Sequence, residues 1–338
     1  MGADCKSAGL RLQWFKSTIY HNMYPISQCS LELIERAAKN LKSGSVVAFP
    51  TETVYGLGVD AENESAVARM YSIKGRPSDH PVIVHINEIN QVEYWAKDVP
   101  QYAIELMRKF WPGAMTLILR RSERAKDFIT GGQDFVGVRI PSNTVALNLL
   151  NEFAKVGGRG VAAPSANRFG SISPTSASDV AQEVGSYLIE GDLILDGGES
   201  EIGVESTIID CSRALPRILR LGSVTEEMIK EVTPIDLDND LTEIRVSGSL
   251  TRHYSPKAEV ITNRNPKAGE GFIALAEIPT PTGVIRLAEP KTVTEYARAL
   301  YSALRDGDSR GLTTIVAMPP AGEGLAAAIR DRISRASA

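Results

Sequence analysis

Short apolar runs separated by helical patterns set the strongest limit on the fold of this chain. Ser45-Val-Val-Ala-Phe49, closed by Pro50, is a continuous apolar run of the kind that forms a strand buried on both faces. Similar runs recur at Val82 to Ile86, Met115 to Leu119, Val136 to Ile140, Val161 to Ala163, Leu193 to Leu195, Thr207 to Ile209 and Ile218 to Leu219. Between them, Leu31, Ile34, Ala38 and Leu41 are spaced to share one helical face, and Gly44 supplies a stop. Tyr102, Leu106 and Phe110 fit a second helix, and Val145, Leu149 and Phe153 a third. This alternation predicts an α/β domain over roughly Ser30 to Val232. The strands are short and some lie close together, which predicts a mixed sheet rather than a purely parallel one.

A chain of 338 residues exceeds one average domain. Residues 233–257 break the rhythm with the acidic Asp236-Leu-Asp-Asn-Asp240 and with Ser247-Gly-Ser249, and read as a linker with little to bury. Beyond it, Ala258 to Thr262, Phe272 to Ala276, Gly283 to Leu287 and Thr313 to Ala317 resemble strands. Thr292 to Arg305 and Gly324 to Arg335 resemble amphipathic helices, giving a small α/β domain over 258–338. Residues 1–26 read as a poorly patterned N-terminal extension, with no apolar core of signal-peptide length. No apolar run is long enough to span a bilayer, and no membrane partner is expected.

The formal net charge of -4 argues against coating nucleic acid through bulk charge, although it says nothing of a local basic groove. Cys5, Cys29 and Cys211 form no CxxC pair and no disulfide framework. His21, His80, His85 and His253 are too dispersed for a metal site built from side chains. The pattern fits a reducing cytoplasm.

Four loops at strand ends carry unusual residue combinations, and strand ends are where α/β proteins place ligands. In Pro50-Thr-Glu-Thr-Val-Tyr-Gly-Leu-Gly58 the hydroxyls of Thr51 and Thr53 and two glycines permit close backbone approach; the same residues also make an ordinary tight turn. Lys74-Gly-Arg76-Pro-Ser-Asp-His80-Pro81 holds two cations beside a glycine and stiffening prolines, which suits phosphate, although exposed cations are usually only solvated. Ala163 to Thr175 is dense in hydroxyl, amide and glycine, offering small donors to an anion or forming a plain surface loop. The fourth set is Asp196-Gly-Gly198, Gly203-Val-Glu-Ser206-Thr207 and Arg220-Leu-Gly222. GxxxxGK[ST], a strand-linked GxGxxG and GxSxG are all absent. Cys211, at a strand end, reads as a buried structural thiol. A site rich in Lys, Arg, Ser and Thr with no obvious nucleophile suits activation by a nucleoside triphosphate, which depends on positioning and charge stabilisation.

These motifs, in order, resemble the two-domain threonylcarbamoyl-AMP synthases of the Sua5/YciO/YrdC family. The matching pieces are PTETVYGLG at 50–58, KGRP at 74–77, PVIVHI at 81–86, WPGAMT at 111–116, VGVRIP at 136–141, APSANRFGSISPT at 163–175, DGG at 196–198, GVESTIID at 203–210 and RLG at 220–222. RHYSP at 252–256 and the C-terminal tail extend the likeness from about Ser27 to the end of the chain. Three departures stand out: WPGAMT carries Ala114 and Met115, RLG carries Leu221 for proline, and His80 replaces a common asparagine.

The resemblance implies a twisted mixed-sheet catalytic domain over 27–232, a linker acting as a lid, and a smaller Rossmann-like domain. It implies that ATP, L-threonine and bicarbonate give threonylcarbamoyl-AMP and pyrophosphate, with Mg2+ accompanying ATP and no organic prosthetic group. A partner complex then passes the threonylcarbamoyl group to adenosine 37 of tRNAs reading ANN codons, and tRNA itself is a further candidate partner. On the matching positions, threonine falls to Thr53, His85, Arg139, Ala163 and Ser206. ATP falls to Lys74, Arg76, His80, Ser165, Asn167, Ser173, Arg220 and Tyr254, with Lys74 and Arg76 stabilising the leaving pyrophosphate. Rival readings are an RNA-binding module without this catalysis, and a related adenylate- or carbamoyl-forming enzyme with another substrate.

Overall fold

The computed structural model describes residues 26–238, 244–248 and 254–338. The predicted extension up to Pro25, with Cys5 and His21, lies outside the described residues, as do Arg252 and His253 of the linker motif.

The larger domain is built on a ten-stranded mixed sheet. Its strands are β1 (Ile26–Gln28), β2 (Val47–Phe49), β3 (Gly56–Asp60), β4 (Ile83–His85), β5 (Met115–Arg120), β6 (Phe135–Arg139), β7 (Val161–Ala162), β8 (Leu193–Asp196), β9 (Thr207–Asp210) and β10 (Arg217–Arg220). They run in the order β1-β8-β2-β3-β7-β4-β6-β5-β9-β10. Pairing is parallel at β1/β8, β2/β8, β4/β6 and β5/β9, and antiparallel at β2/β3, β3/β7, β4/β7, β5/β6 and β9/β10. Ile26, assigned by sequence to the extension, opens β1 and pairs with Ile194.

The apolar runs become strands because both faces are covered. Val47, Ala48 and Phe49 are fully buried. Helix Leu31–Lys42 and helix Thr144–Lys155 pack together over one face with Leu149, Leu150 and Phe153. Ser30 caps the first helix by accepting from the Leu33 amide, which satisfies one of the free donors at its start. The buried stripe of that helix is Leu33, Ile34, Ala37, Ala38 and Leu41. Leu31, placed on that face by spacing, sits in the first turn and is 72% exposed.

The smaller domain is a four-stranded parallel sheet of β11 (Glu259–Ile261), β12 (Gly271–Ile273), β13 (Ile285–Ala288) and β14 (Thr314–Ala317), in the order β11-β14-β12-β13. Helices Val293–Ser309 and Leu325–Ala336 supply Tyr296, Leu300, Tyr301, Leu304, Ile329 and Ile333 to its core. The stretch between the domains buries more than its composition predicts. Ile244 and Val246 pack on Ile118 and Ile208 of the large sheet, and Tyr254 is buried between the two domains. These apolar residues are spread thinly among polar ones, so no periodic signal reports them.

Candidate active site

One cavity collects most of the predicted positions. It encloses about 530 Å3, its open mouth included, and Thr53, Arg76, His85, Arg139, Ala163, Ser165, Ser206, Arg220 and Tyr254 all line it. Lys74, His80, Asn167 and Ser173 do not reach its wall.

At one end, β6 delivers Arg139 and the turn after β2 delivers Thr53. Thr51 behaves as the ordinary-turn reading expects: its hydroxyl accepts from the Thr53 and Val54 amides and donates to the Val54 carbonyl at 2.7 Å. Thr53 is different. Its Oγ1 accepts from Nη1 of Arg139 at 3.0 Å. Nη2 of Arg139 donates to Glu52 at 2.5 Å, and Nε donates to the Gly113 carbonyl at 3.2 Å. A guanidinium has five N–H groups; these bonds leave one on each terminal nitrogen, available to a further acceptor such as a carboxylate. The second Glu52 oxygen accepts from the Ser142 amide, so the anchor is itself fixed.

His85, at the end of β4, lies beside this cluster, and its Nδ1 has no hydrogen-bond partner. Burial and then the charge of Arg139 push its pKa down to about 3, so the ring is neutral and offers a lone pair. Ser206 completes this end. Its Oγ pairs with Thr116 Oγ1 at 2.8 Å and accepts from Arg220 Nη2 at 3.1 Å.

The other end is cationic. Helix Glu64–Lys74 stops at Gly75, whose φ of 62° lets the chain reverse and turn Arg76 inward. Arg76 donates to the Pro81 carbonyl at 2.8 Å and to Ser247 Oγ at 3.2 Å, and its Nε has no partner. Arg220 donates to the carbonyls of Ser206 and Ser247 at 3.0 and 2.8 Å. Burial lowers the pKa of both guanidiniums. Among the described residues neither forms a salt bridge within 4.0 Å. Their hydrogen bonds go only to neutral acceptors, with Glu205 and Asp79 offsetting part of their charge from beyond ion-pair distance, so an anion joining them would lower the cost of burying them.

The cavity also shows what the remaining predicted residues do. Lys74 is fully buried, and its Nζ donates to the carbonyls of Ser165 and Asn167 at 2.5 and 2.6 Å. It shapes the loop after β7 instead of projecting into the cavity, because its helix ends against that loop. Asn167 donates to the Arg168 and Ser171 carbonyls within the same loop. Ser173 donates to Glu205 at 2.6 Å. His80 lies edge-on to Phe169, with ring centroids 5.4 Å apart. The Asp196-Gly-Gly198 turn sits behind the wall, where the Gly198 carbonyl accepts from the Tyr55 hydroxyl. Cys211 is buried, and burial raises its thiol pKa.

Glu52 and Glu205, inside the motifs at 50–58 and 203–210, are two further acids of the site, and nothing in the sequence sets them apart from their hydroxyl neighbours.

The family described as "Telomere recombination" (Sua5/YciO/YrdC) matches residues 39–222. "Threonylcarbamoyl-AMP synthase, C-terminal domain" matches residues 224–338. A threonylcarbamoyl-AMP synthase of Pyrococcus abyssi is 40% identical over 325 residues, covering 90% of this chain and 94% of its own. The chain belongs to the threonylcarbamoyl-AMP synthase family. Within that family, the Bacillus subtilis synthase is 39% identical, covering 90% of this chain and 92% of its own. Among solved structures, P. abyssi Sua5 complexed with L-threonine superposes with a TM-score of 0.83 at 38% identity, covering 93% of this chain and 97% of that one. The family's two-domain fold is therefore the fold of this chain.

Proposed function

We propose that this chain is a threonylcarbamoyl-AMP synthase, joining ATP, L-threonine and bicarbonate with release of pyrophosphate. The observation that carries the proposal is a single cavity with Arg139, held by Glu52 and Thr53 and with N–H groups to spare, at one end and the buried guanidiniums of Arg76 and Arg220 at the other. An amino acid and a polyanion answer those two ends. Homologues bear the synthase name, and the P. abyssi structure was solved with L-threonine.

In this reading Arg139 takes the threonine carboxylate. Thr53, the neutral His85, Ser206 and the backbone at Ala163 meet its hydroxyl and amine. A side chain without a hydroxyl would leave buried polar partners unpaired, which rejects valine more strongly than shape does. Bicarbonate gives CO2 and hydroxide; the free amine attacks the CO2 carbon, and the proton that the nitrogen loses combines with that hydroxide as water, leaving a carbamate. A carbamate oxygen then attacks the α-phosphorus, and the bond from that phosphorus to the bridging oxygen of pyrophosphate breaks. Arg76 and Arg220 stabilise the charge on the departing oxygens. Ser165 faces the nucleotide from the loop that Lys74 holds, and Tyr254 closes over it.

Magnesium would accompany ATP as part of the substrate and would offset part of the phosphate charge beside Arg76 and Arg220. Among the described residues no cluster of three or more His, Cys, Asp or Glu could hold a metal ion. The product is handed to a complex acting on tRNA, in the cytoplasm; Cys29 and Cys211 are both free thiols, as that compartment favours.

The test is mass spectrometry of the reaction mixture, omitting ATP, threonine and bicarbonate in turn. Threonylcarbamoyl-AMP should form only in the complete mixture. A product that survives omission of threonine would remove the proposal.

A further inference from the structure

Among the residues lining the cavity, Glu205 is the one carboxylate. It precedes Ser206, whose carbonyl and hydroxyl both accept from Arg220, so its charge lies close to Arg220, and an unneutralised carboxylate there would repel a triphosphate. Its partners come largely from the other domain. Arg332, on helix Leu325–Ala336, is fully buried and donates from Nε to Glu205 Oε2 at 2.8 Å. The Tyr301 hydroxyl, on helix Val293–Ser309, lies 3.0 and 3.2 Å from the two carboxylate oxygens. Ser173 donates to Oε1 at 2.6 Å.

The same arginine does more. Its Nη2 donates to the Leu221 carbonyl at 2.8 Å, one residue beyond Arg220. Its guanidinium lies 5.4 Å from the Tyr254 ring centroid, and Tyr254 stacks on Tyr301 at 5.6 Å. Arg305, on the Tyr301 helix, donates to the Ile172 carbonyl beside Ser173 and to Glu183 at 2.9 Å. These contacts reach Glu205, Tyr254 and the residue after Arg220, together with the loop that carries Ser173. Among the described residues, no hydrogen bond from the smaller domain reaches Thr53, His85 or Arg139.

We propose that Arg332 is a positioning residue for the nucleotide: it holds and neutralises Glu205 so that a triphosphate can lie against Arg76 and Arg220. The smaller domain thereby becomes part of the ATP site while leaving the threonine end to the larger domain. This rests on the reading of the cavity as an ATP and threonine site. The ionisation of Glu205 agrees with the geometry: burial opposes its charge, yet Arg332 and Arg220 hold its pKa down at about 2.

The test measures KM for ATP and for threonine in Arg332→Gln, Arg332→Lys, Glu205→Gln and the double variant Arg332→Met/Glu205→Gln, beside the unaltered protein. Arg332→Gln should raise the ATP KM by about tenfold or more while moving the threonine KM less than about twofold, and Arg332→Lys should recover part of the loss. In the double variant the ATP KM should return to within about threefold of Glu205→Gln alone, because the charge to be neutralised is gone. An unchanged ATP KM in Arg332→Gln, or equal rises in both KM values, overturns the proposal. Should Arg332→Gln fail to fold, the double variant decides: an ATP KM about tenfold above that of Glu205→Gln means that Arg332 does not act through Glu205. Loss of ATP-dependent product in the unaltered protein would instead defeat the underlying reading.

Discussion

The side-chain nitrogen of Lys74 donates to the carbonyl oxygen of Ser165 across 2.5 Å, although the two residues are 91 positions apart. With the bond to Asn167, this contact ties the end of one helix to the loop that walls the cavity. The side chain that the motif assigns to phosphate is bonded to two backbone carbonyls in this structure.

Lys74→Ala should therefore damage both fold and nucleotide affinity. It strands two carbonyls in a buried site, a loss of about 2–3 kcal/mol in urea unfolding. The ATP KM should rise with it, while the threonine KM stays near its original value. An intact unfolding midpoint with reduced activity would show instead that Lys74 acts on substrate directly.

Glu52 sets the orientation of Arg139. Glu52→Gln keeps the shape but removes the charge-assisted bond, which at about 1.5–3 kcal/mol is large enough to weaken threonine binding by about tenfold or more. Arg139→Lys should not substitute, since a point charge cannot make the forked contact. Threonine KM, measured at saturating ATP, checks both.

The neutral state of His85 gives stability a pH dependence of defined sign. Its pKa is 6.5 when unperturbed and about 3 in the folded protein. The unfolded chain thus takes up the proton first on acidification. The contribution is fully present above 6.5 and is lost as pH falls from 6.5 toward 3. His80, lowered by burial, acts with the same sign. Between pH 7 and pH 5 the stability of His85→Gln should fall less steeply, by up to about 1.4 kcal/mol per pH unit. Equal slopes would mean that the folded protein protonates His85 freely.

Gly222 leaves no room for a side chain. A Cβ there would lie 2.4 Å from the Thr207 amide nitrogen and 2.8 Å from the Glu205 carbonyl oxygen. Both are backbone atoms, so Gly222→Ala must displace the segment that carries Glu205 and Ser206. Overpacking of this kind costs about 1–3 kcal/mol, and product formation should fall along with the thermal midpoint. By contrast Leu221, where the family has proline, is partly exposed and contributes only its carbonyl to Arg332. Leu221→Pro should keep that bond and leave ATP affinity within about threefold, as expected for a surface change.

What the sequence determined by itself was local. The apolar runs at 45–49, 115–119 and 136–140 had to be strands, because only burial on both faces satisfies a continuous apolar stretch. The ordered motifs gave the family, and with it nine of the residues that line the cavity. Tertiary structure alone decided which polar group meets which. Lys74 and Arg76 are near neighbours in one motif, yet the left-handed turn at Gly75 sends one into a loop's carbonyls and the other to the cavity wall. Glu205 and Arg332 are 127 positions apart, and no pattern in either segment announces their pairing. Periodicity reports which face of an element is buried, whereas ion pairs between distant elements depend on how whole layers dock. That docking is set by the summed packing of the two cores, which no short window of sequence contains.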